Sequence, residues 1–370
     1  MVGLLLLAGC GLVLIAVSTA RVGLLAELVG IGAALLPVGP VVAAFLWMDR
    51  WEPEPARLLW LAFGWGACVA TVTALLINNT AEVVGDLLLG NGQGDKISAL
   101  VSAPLFEEAV KGAFVLGIFL FLRNEFDGVV DGIVYAGFVA AGFAFTENIY
   151  YFGRAFDEYG FGDSSSPGVI AAFILRGVLA PFTHPLFTAM IGIGIGIAAR
   201  SSSGKIRVVA PLLGYLAAVV LHALWNGAAT LGGASTFLSV YFLVMVPLFA
   251  VVSLFVHWHR KREQRIVAGA LDTMVAAQLI VASEVELLSS LAGRRKWRRD
   301  VKAAAGKTAA DKVGEYQAAV SELAFLRHAI DRGTAGPDVE ARQDTLIAAV
   351  RTKRSAAVRA ARSPESVSDR

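Results

Sequence analysis

Cysteine is nearly missing from this chain of 370 residues. Cys10 and Cys68 both fall inside apolar runs, which excludes a disulfide framework and a cysteine-rich metal site. Charge is scarce as well: Asp, Glu, Lys and Arg make up 17% of the chain, against roughly a quarter in soluble proteins. Apolar residues fill the gap at 56%, with a mean hydropathy of +0.65. A water-soluble fold of this length cannot bury that much apolar surface, so most of the chain is expected in lipid. The near-neutral net charge of +2 hides an asymmetry. Residues 1–256 hold 11 basic and 16 acidic side chains, and residues 257–370 hold 21 basic and 14 acidic. Two domains follow: an apolar body over 1–256 and a basic tail over 257–370.

Apolar runs long enough to cross a bilayer fall at 2–19, 28–48, 58–79, 98–122, 129–153, 171–199, 208–230 and 237–256. The expected fold class is therefore all-α, a polytopic membrane protein of about eight transmembrane helices. No basic leader or small-residue cleavage site marks the first run, which reads as a retained helix and not a removed signal peptide. Basic residues near the span ends set the orientation. The run His257 to Arg262 follows the last span, and Arg50 with Arg57, Arg123, and Arg200 with Lys205 and Arg207 fall on the same side. The alternate loops are acidic at 80–97 and 154–168 and uncharged at 231–236, with Arg21 as the exception. The protein is expected in the plasma membrane as a multi-pass chain with both termini cytoplasmic.

The tail reads as mostly helical, with apolar residues three or four apart between Ile266 and Leu291 and between Val301 and Ile330. Gly333 to Pro337 breaks the pattern, and the chain from Ser363 onward reads as frayed. The cluster Arg294 to Arg299 suits anionic lipid headgroups or a partner of the tail. Beyond charge nothing points to nucleic acid.

Ionisable side chains inside a span are costly and call for a reason. The fourth span holds Glu107-Glu108-Ala109-Val110-Lys111, with Glu107 and Lys111 on one helix face and Glu108 about 100 degrees away. At 1.5 Å per residue Glu107 lies about 14 Å from the outer end of its span, and Glu147 about 27 Å from the inner end of the fifth. The sixth span carries Arg176 and then His184 between Pro181 and Pro185, prolines expected to free backbone carbonyls and kink the helix. The seventh places His222 and Asn226 one turn apart on a shared face. Four spans thus bring Glu107, Glu108, Glu147, His184, His222 and Asn226 to a similar depth in the outer half of the membrane.

Such a cluster suits water activation. A carboxylate tuned by burial and neighbours acts as general base, and a histidine and an asparagine can donate to a developing oxyanion. These stretches offer no serine or cysteine nucleophile. Two histidines and three glutamates could also bind zinc, although no HExxH pair occurs. Blander readings stand beside these. Glu107 and Lys111 also read as a structural ion pair, a buried histidine as a packing element, Glu147 as a side chain reaching interfacial water, and Asp127 and Asp131 as loop and helix-start residues. A proton-coupled transporter or channel would use the same buried charges, and a non-catalytic scaffold or regulator would act through the tail.

The chain resembles the PrsW family of intramembrane proteases, distantly similar to the CAAX prenyl protease and bacteriocin-processing superfamily. Glu107-Glu108-Ala109-Val110-Lys111 looks like that family's EExxK motif, Phe143 to Glu147 like its FxxxE motif, and His184 and His222 to Asn226 like its later histidine elements. Asp49 to Pro55 and Asp131 to Tyr135 are similar to further recurrent features. The resemblance spans roughly residues 40–256. It implies a peptidase that cuts a membrane-anchored protein near its extracytoplasmic side, with an anti-sigma factor as the implied substrate of a first cleavage. It implies no cofactor: Glu107 would activate water without a metal, supported by Glu108 and Lys111. His222 and Asn226 would stabilise the oxyanion. Glu147 and His184 would join the site in unassigned roles.

Overall fold

The computed structural model describes residues 2–51, 53–126, 128–163, 167–333, 335 and 338–362. Glu52 of the Asp49 to Pro55 segment, Asp127 and the stretch from Ser363 lie outside the described residues, as do Thr334, Gly336 and Pro337. Among the described residues the chain is helical and has no strand. It divides into two units, residues 1–49 with 54–253, and residues 50–53 with 254–370.

In the first unit α1 spans Val2–Val22 and α2 spans Leu24–Met48. The long α3 covers Ala56–Leu89. A short turn at Gly94–Ile97 leads into α4, Ala103–Phe121, and α5 runs over Val129–Tyr159. A helical stretch from Val169 to Leu179 precedes α6, Thr183–Ala199, and α7 spans Gly204–Leu231. The last helix, α8, covers Gly233–Ala276. Among the described residues six segments qualify by length and apolarity as membrane spans: α2, α3, α5, Val169–Ala199, α7 and α8. The two expected spans outside that set have plain reasons. The described apolar stretch of α1, Leu7–Val22, is shorter, and α4 carries Glu107, Glu108 and Lys111 at its core.

Leu24, Leu87, Phe121 and Leu243 are each more than 60% exposed, the inverted surface of a protein solvated by lipid. The interior centres on α5. Of its most apolar 18-residue stretch 72% is buried, against 11–33% for the other candidate spans. Small residues let its neighbours approach. A Cβ on Gly132 would strike the carbonyl oxygen of Gly192 on α6, and a Cβ on Gly192 would strike that of Gly132. On the α3 side Gly66 faces the carbonyl of Val139 in the same way. With no hydrophobic driving force between helices in lipid, such backbone proximity supplies the packing. Helices α5 and α6 run antiparallel, because Val129 meets Gly196 at one end while Glu147 meets His184 at the other.

This packing sets the depth of the polar residues. Glu107 lies about 21 Å along α4 from Phe121, and Glu147 about 27 Å along α5 from Val129. The short connection between Phe121 and Val129 joins those two ends, so the two carboxylates arrive within about one helical turn of each other in depth. The expected disruption at the prolines is a full break: Pro181 lies between the helical stretches, and Pro185 occupies the first turn of α6, where a missing N–H costs nothing. Two segments named for the family resemblance meet each other. Glu54 accepts from the Tyr135 hydroxyl at 2.5 Å, and Asp49 accepts from the Glu54 backbone N–H at 2.9 Å. Asp131 accepts from the Gly128 N–H at 2.8 Å and caps α5.

The second unit has its own core, built from the C-terminal part of α8, α9 (Ala282–Leu288), α10 (Leu291–Asp331) and α11 (Val339–Arg362). Helix α10 is folded back at Gly306, whose φ of 83° only glycine adopts readily. Trp51 is 2% exposed in this core, and the Arg294 guanidinium lies 4.7 Å from its ring. Arg294 is itself buried and donates to the Leu288 and Gln317 carbonyls and the Ser321 hydroxyl, so it is a core residue and not a headgroup ligand. Burial pulls its guanidinium down to about 10. Arg295, Lys296, Arg298 and Arg299 of the same cluster are exposed.

Candidate active site

The paired glutamates of α4 face α3, α6 and α7. Glu108 is fully buried. Its Oε1 accepts from Lys111 Nζ at 3.0 Å and from His222 Nδ1 at 3.1 Å, and its Oε2 accepts from the Thr188 hydroxyl at 2.9 Å. Glu107 Oε2 lies 3.2 Å from Lys111 Nζ and 4.0 Å from His222 Nε2, while its Oε1 accepts from Asn78 Nδ2 at 3.0 Å. The pairing of Lys111 with Glu107 expected from helical spacing is present, and Lys111 bonds Glu108 as well. It reaches both carboxylates because residues three and four apart on a helix are neighbours.

The lysine is the hub. Its third N–H is directed at His184 Nδ1, 3.3 Å away, and the ammonium sits 3.6 Å from the centre of the Phe143 ring. An ammonium has only donors, so His184 Nδ1 accepts and the ring proton is on Nε2, which donates to Glu147 Oε2 at 2.8 Å. Glu147 accepts in turn from Arg176 Nη2 at 2.6 Å. Arg176 also donates to Asn148 at 2.8 Å and stacks over Tyr151 at 4.0 Å. His222 is fixed by the same logic: an ionised Glu108 can only accept, so Nδ1 carries a proton and Nε2 faces Glu107. Its ring stacks on Phe187 and lies 5.3 Å from that of His184.

Six of the seven side chains expected from sequence are thus joined in one network: Glu107, Glu108, Lys111, Glu147, His184 and His222. Asn226 is placed differently, donating to the backbone carbonyl of Ala99 at 2.9 Å. That carbonyl belongs to the π-helical turn Ser98–Ser102. Four residues enter the site without having been assigned to it. Thr188 follows His184 by one turn of α6. Arg176 was noted in its span but given no role. Asn78 stands in a stretch, Leu58 to Ala81, that has no charged residue, and Ser102 donates to Asn78 Oδ1 at 2.8 Å.

A divalent cation also fits the donor set. One ligand atom each from Glu107, His184 and His222 lie within 4.8 Å of one another. Each histidine bonds a carboxylate through a ring nitrogen, His222 to Glu108 and His184 to Glu147, as metal-binding histidines usually do.

Fold and site together define a class: a helical membrane protein of several spans whose interior joins paired carboxylates, a lysine and two histidines. The family described as PrsW family intramembrane metalloprotease matches residues 54–252, a segment that contains every site residue named here, and the chain belongs to that family. Among curated relatives, Protease PrsW of Geobacillus kaustophilus is 30% identical over 166 residues, 45% of this chain and 65% of that protein. Protease PrsW of Bacillus subtilis is 29% identical over 192 residues, 52% of this chain and 78% of its own. That of Oceanobacillus iheyensis is 32% identical over 155 residues, 42% and 64%. The matched part is just under two thirds of the first and third relatives. No solved structure matches the chain.

Proposed function

We propose that this chain is an intramembrane endopeptidase that hydrolyses a peptide bond of a membrane-anchored protein near the extracytoplasmic side of the cell membrane. The observation that carries the reading is Glu107, a buried carboxylate held by Lys111 and Asn78 with Oε2 turned toward His222. Water attacks the substrate carbonyl as Glu107 takes its proton, and Glu107 then returns that proton to the leaving amine. Glu108, tied to Lys111, His222 and Thr188, keeps the lysine and the histidine in place. His222, lying between two carboxylates, donates from Nε2 to the oxyanion when it carries both protons. His184 is oriented by Glu147 and Arg176.

The orientation rests on the basic side chains near the span ends, which assign both termini to the cytoplasm and the site to the outer half of the bilayer. The eight-span count belongs to this reading, with α1 and α4 crossing despite the shorter described stretch of one and the buried charges of the other. Residues 1–256 form the peptidase domain and 257–370 a cytoplasmic tail that meets anionic lipid or a protein partner. The substrate class is a protein with one membrane span, of which an anti-sigma factor is the family's implied case.

A metal-assisted form of the reaction is the second reading, favoured by the closeness of Glu107, His184 and His222, the residues that would hold the ion. Bound there, it would act as a Lewis acid and lower the pKa of water. The metal-free form comes first because the Lys111 ammonium already bonds Glu107 and His184, two of those three residues. Cleavage of single-span substrates by purified protein in lipid separates the readings. The metal-free form predicts product that survives chelation and disappears in folded Glu107→Gln. Loss of product on chelation, restored by zinc, overturns it in favour of the metal. Proton flux without product favours a transporter.

A further inference from the structure

The two oxygens of Glu107 are held from different helices. Lys111 on the same helix takes Oε2, and Asn78 of α3 takes Oε1. A side-chain amide can present either its oxygen or its nitrogen to a neighbour, and only the nitrogen is compatible with an ionised carboxylate. Here Asn78 Oδ1 lies 2.8 Å from the Ser102 hydroxyl, which donates to it. With its oxygen engaged, the amide keeps its NH2 toward Glu107. Ser102 is only 4% exposed and ends the π-helical turn that leads into α4, so the donor is itself fixed by the backbone. Ser102, Asn78 and Glu107 form a directed chain in which each hydrogen bond sets the next.

We propose that Asn78 is a positioning residue for the reaction: it fixes the plane of the Glu107 carboxylate so that Oε2 is presented toward His222, and Ser102 sets the sense of the Asn78 amide. The proposal rests on the reading of Glu107 as the general base. A carboxylate held at only one oxygen swings about its last torsion, which is broad for a terminal sp² group. Small misplacements of a base reduce the rate of the chemical step much more than they weaken substrate binding.

The test uses the full-length protein in lipid with a single-span substrate, comparing the parent with Asn78→Leu, Asn78→Asp, Ser102→Ala, Ser102→Thr and Glu107→Gln. Leucine has the branched outline of asparagine at a larger volume, and neither leucine nor an ionised aspartate can donate to Glu107. We expect each to lower kcat by ~10–100-fold, the range for losing a hydrogen bond to a charged group, with KM within about twofold. Ser102→Ala falls between these and the parent, and Ser102→Thr, which keeps the hydroxyl, restores activity. In difference infrared spectra the carboxylate band that Glu107→Gln removes should shift in Asn78→Leu, a readout that needs no substrate. Full kcat in a folded Asn78→Leu beside an inactive Glu107→Gln overturns the positioning role alone, as does an unshifted band. An active Glu107→Gln removes the base assignment, and the proposal with it. If Asn78→Leu does not fold, the serine pair decides: equal kcat for the alanine and threonine variants overturns the proposal.

Discussion

Lys111→Met removes an ammonium that bonds Glu107 Oε2 at 3.2 Å, Glu108 Oε1 at 3.0 Å and His184 Nδ1 at 3.3 Å. Methionine keeps most of the stem's volume, so the change isolates charge from packing. The lysine side chain is 0% exposed and that of Glu108 likewise, so solvent does not screen the pair. Removing one partner of a buried ion pair leaves the other uncompensated and costs about 3–5 kcal/mol. Glu108 keeps its bonds to Thr188 and His222, and Glu107 keeps Asn78, which argues for the lower half of that range. The assay is reversible unfolding in mixed micelles, followed by loss of helical signal. A Glu108→Gln background refines it: with one carboxylate already neutral, Lys111→Met should cost at least about 1 kcal/mol less, because contacting residues couple. A loss below about 1 kcal/mol in the single variant, the worth of an exposed pair, would refute the shared buried ammonium.

Other perturbations probe separate parts of the molecule. Arg176→Met leaves Glu147 held by His184 alone and should slow cleavage by ~10–100-fold through loss of a charge-assisted bond, measured as initial rates on a membrane substrate at matched folded protein. Gly192→Val drives a side chain into the Gly132 carbonyl and should abolish the α5–α6 crossing, seen as loss of monodisperse folded protein. Trp51→Ala empties a fully packed position in the second unit and should cost that unit about 3–5 kcal/mol, read in the full chain as faster amide exchange around Tyr316 and Leu323.

The parts of the structure legible in the sequence are those governed by hydropathy and helical spacing. Runs of apolar residues located the helices, and the price of charge in lipid singled out Glu107, Glu108, Lys111, Glu147, His184 and His222, which the structure brings together. Asn226 shows the limit of spacing. It shares a face with His222, but its amide donates to the Ala99 carbonyl of the π-helical turn at Ser98–Ser102, and no periodicity announces a π turn. Asn78 and Thr188 escaped because uncharged polar residues are common enough in membrane helices to carry little signal alone. Arg294 looked like part of a basic surface patch, yet it is buried against Trp51, a residue more than two hundred positions earlier in the chain. The fold-back at Gly306 was a single glycine in an otherwise helical pattern, and its φ is a property of the folded backbone.

The central claim is that Glu107 activates water for peptide hydrolysis inside the membrane domain. The direct measurement is cleavage of a single-span substrate in heavy-oxygen water by purified protein in lipid, with products resolved by mass spectrometry beside folded Glu107→Gln and His222→Ala. The account predicts one heavy oxygen in the newly formed C-terminus, a cut near the extracytoplasmic end of the substrate span, and neither product from the glutamine variant. Undiminished cleavage by Glu107→Gln, or a cut at the cytoplasmic end, would contradict it.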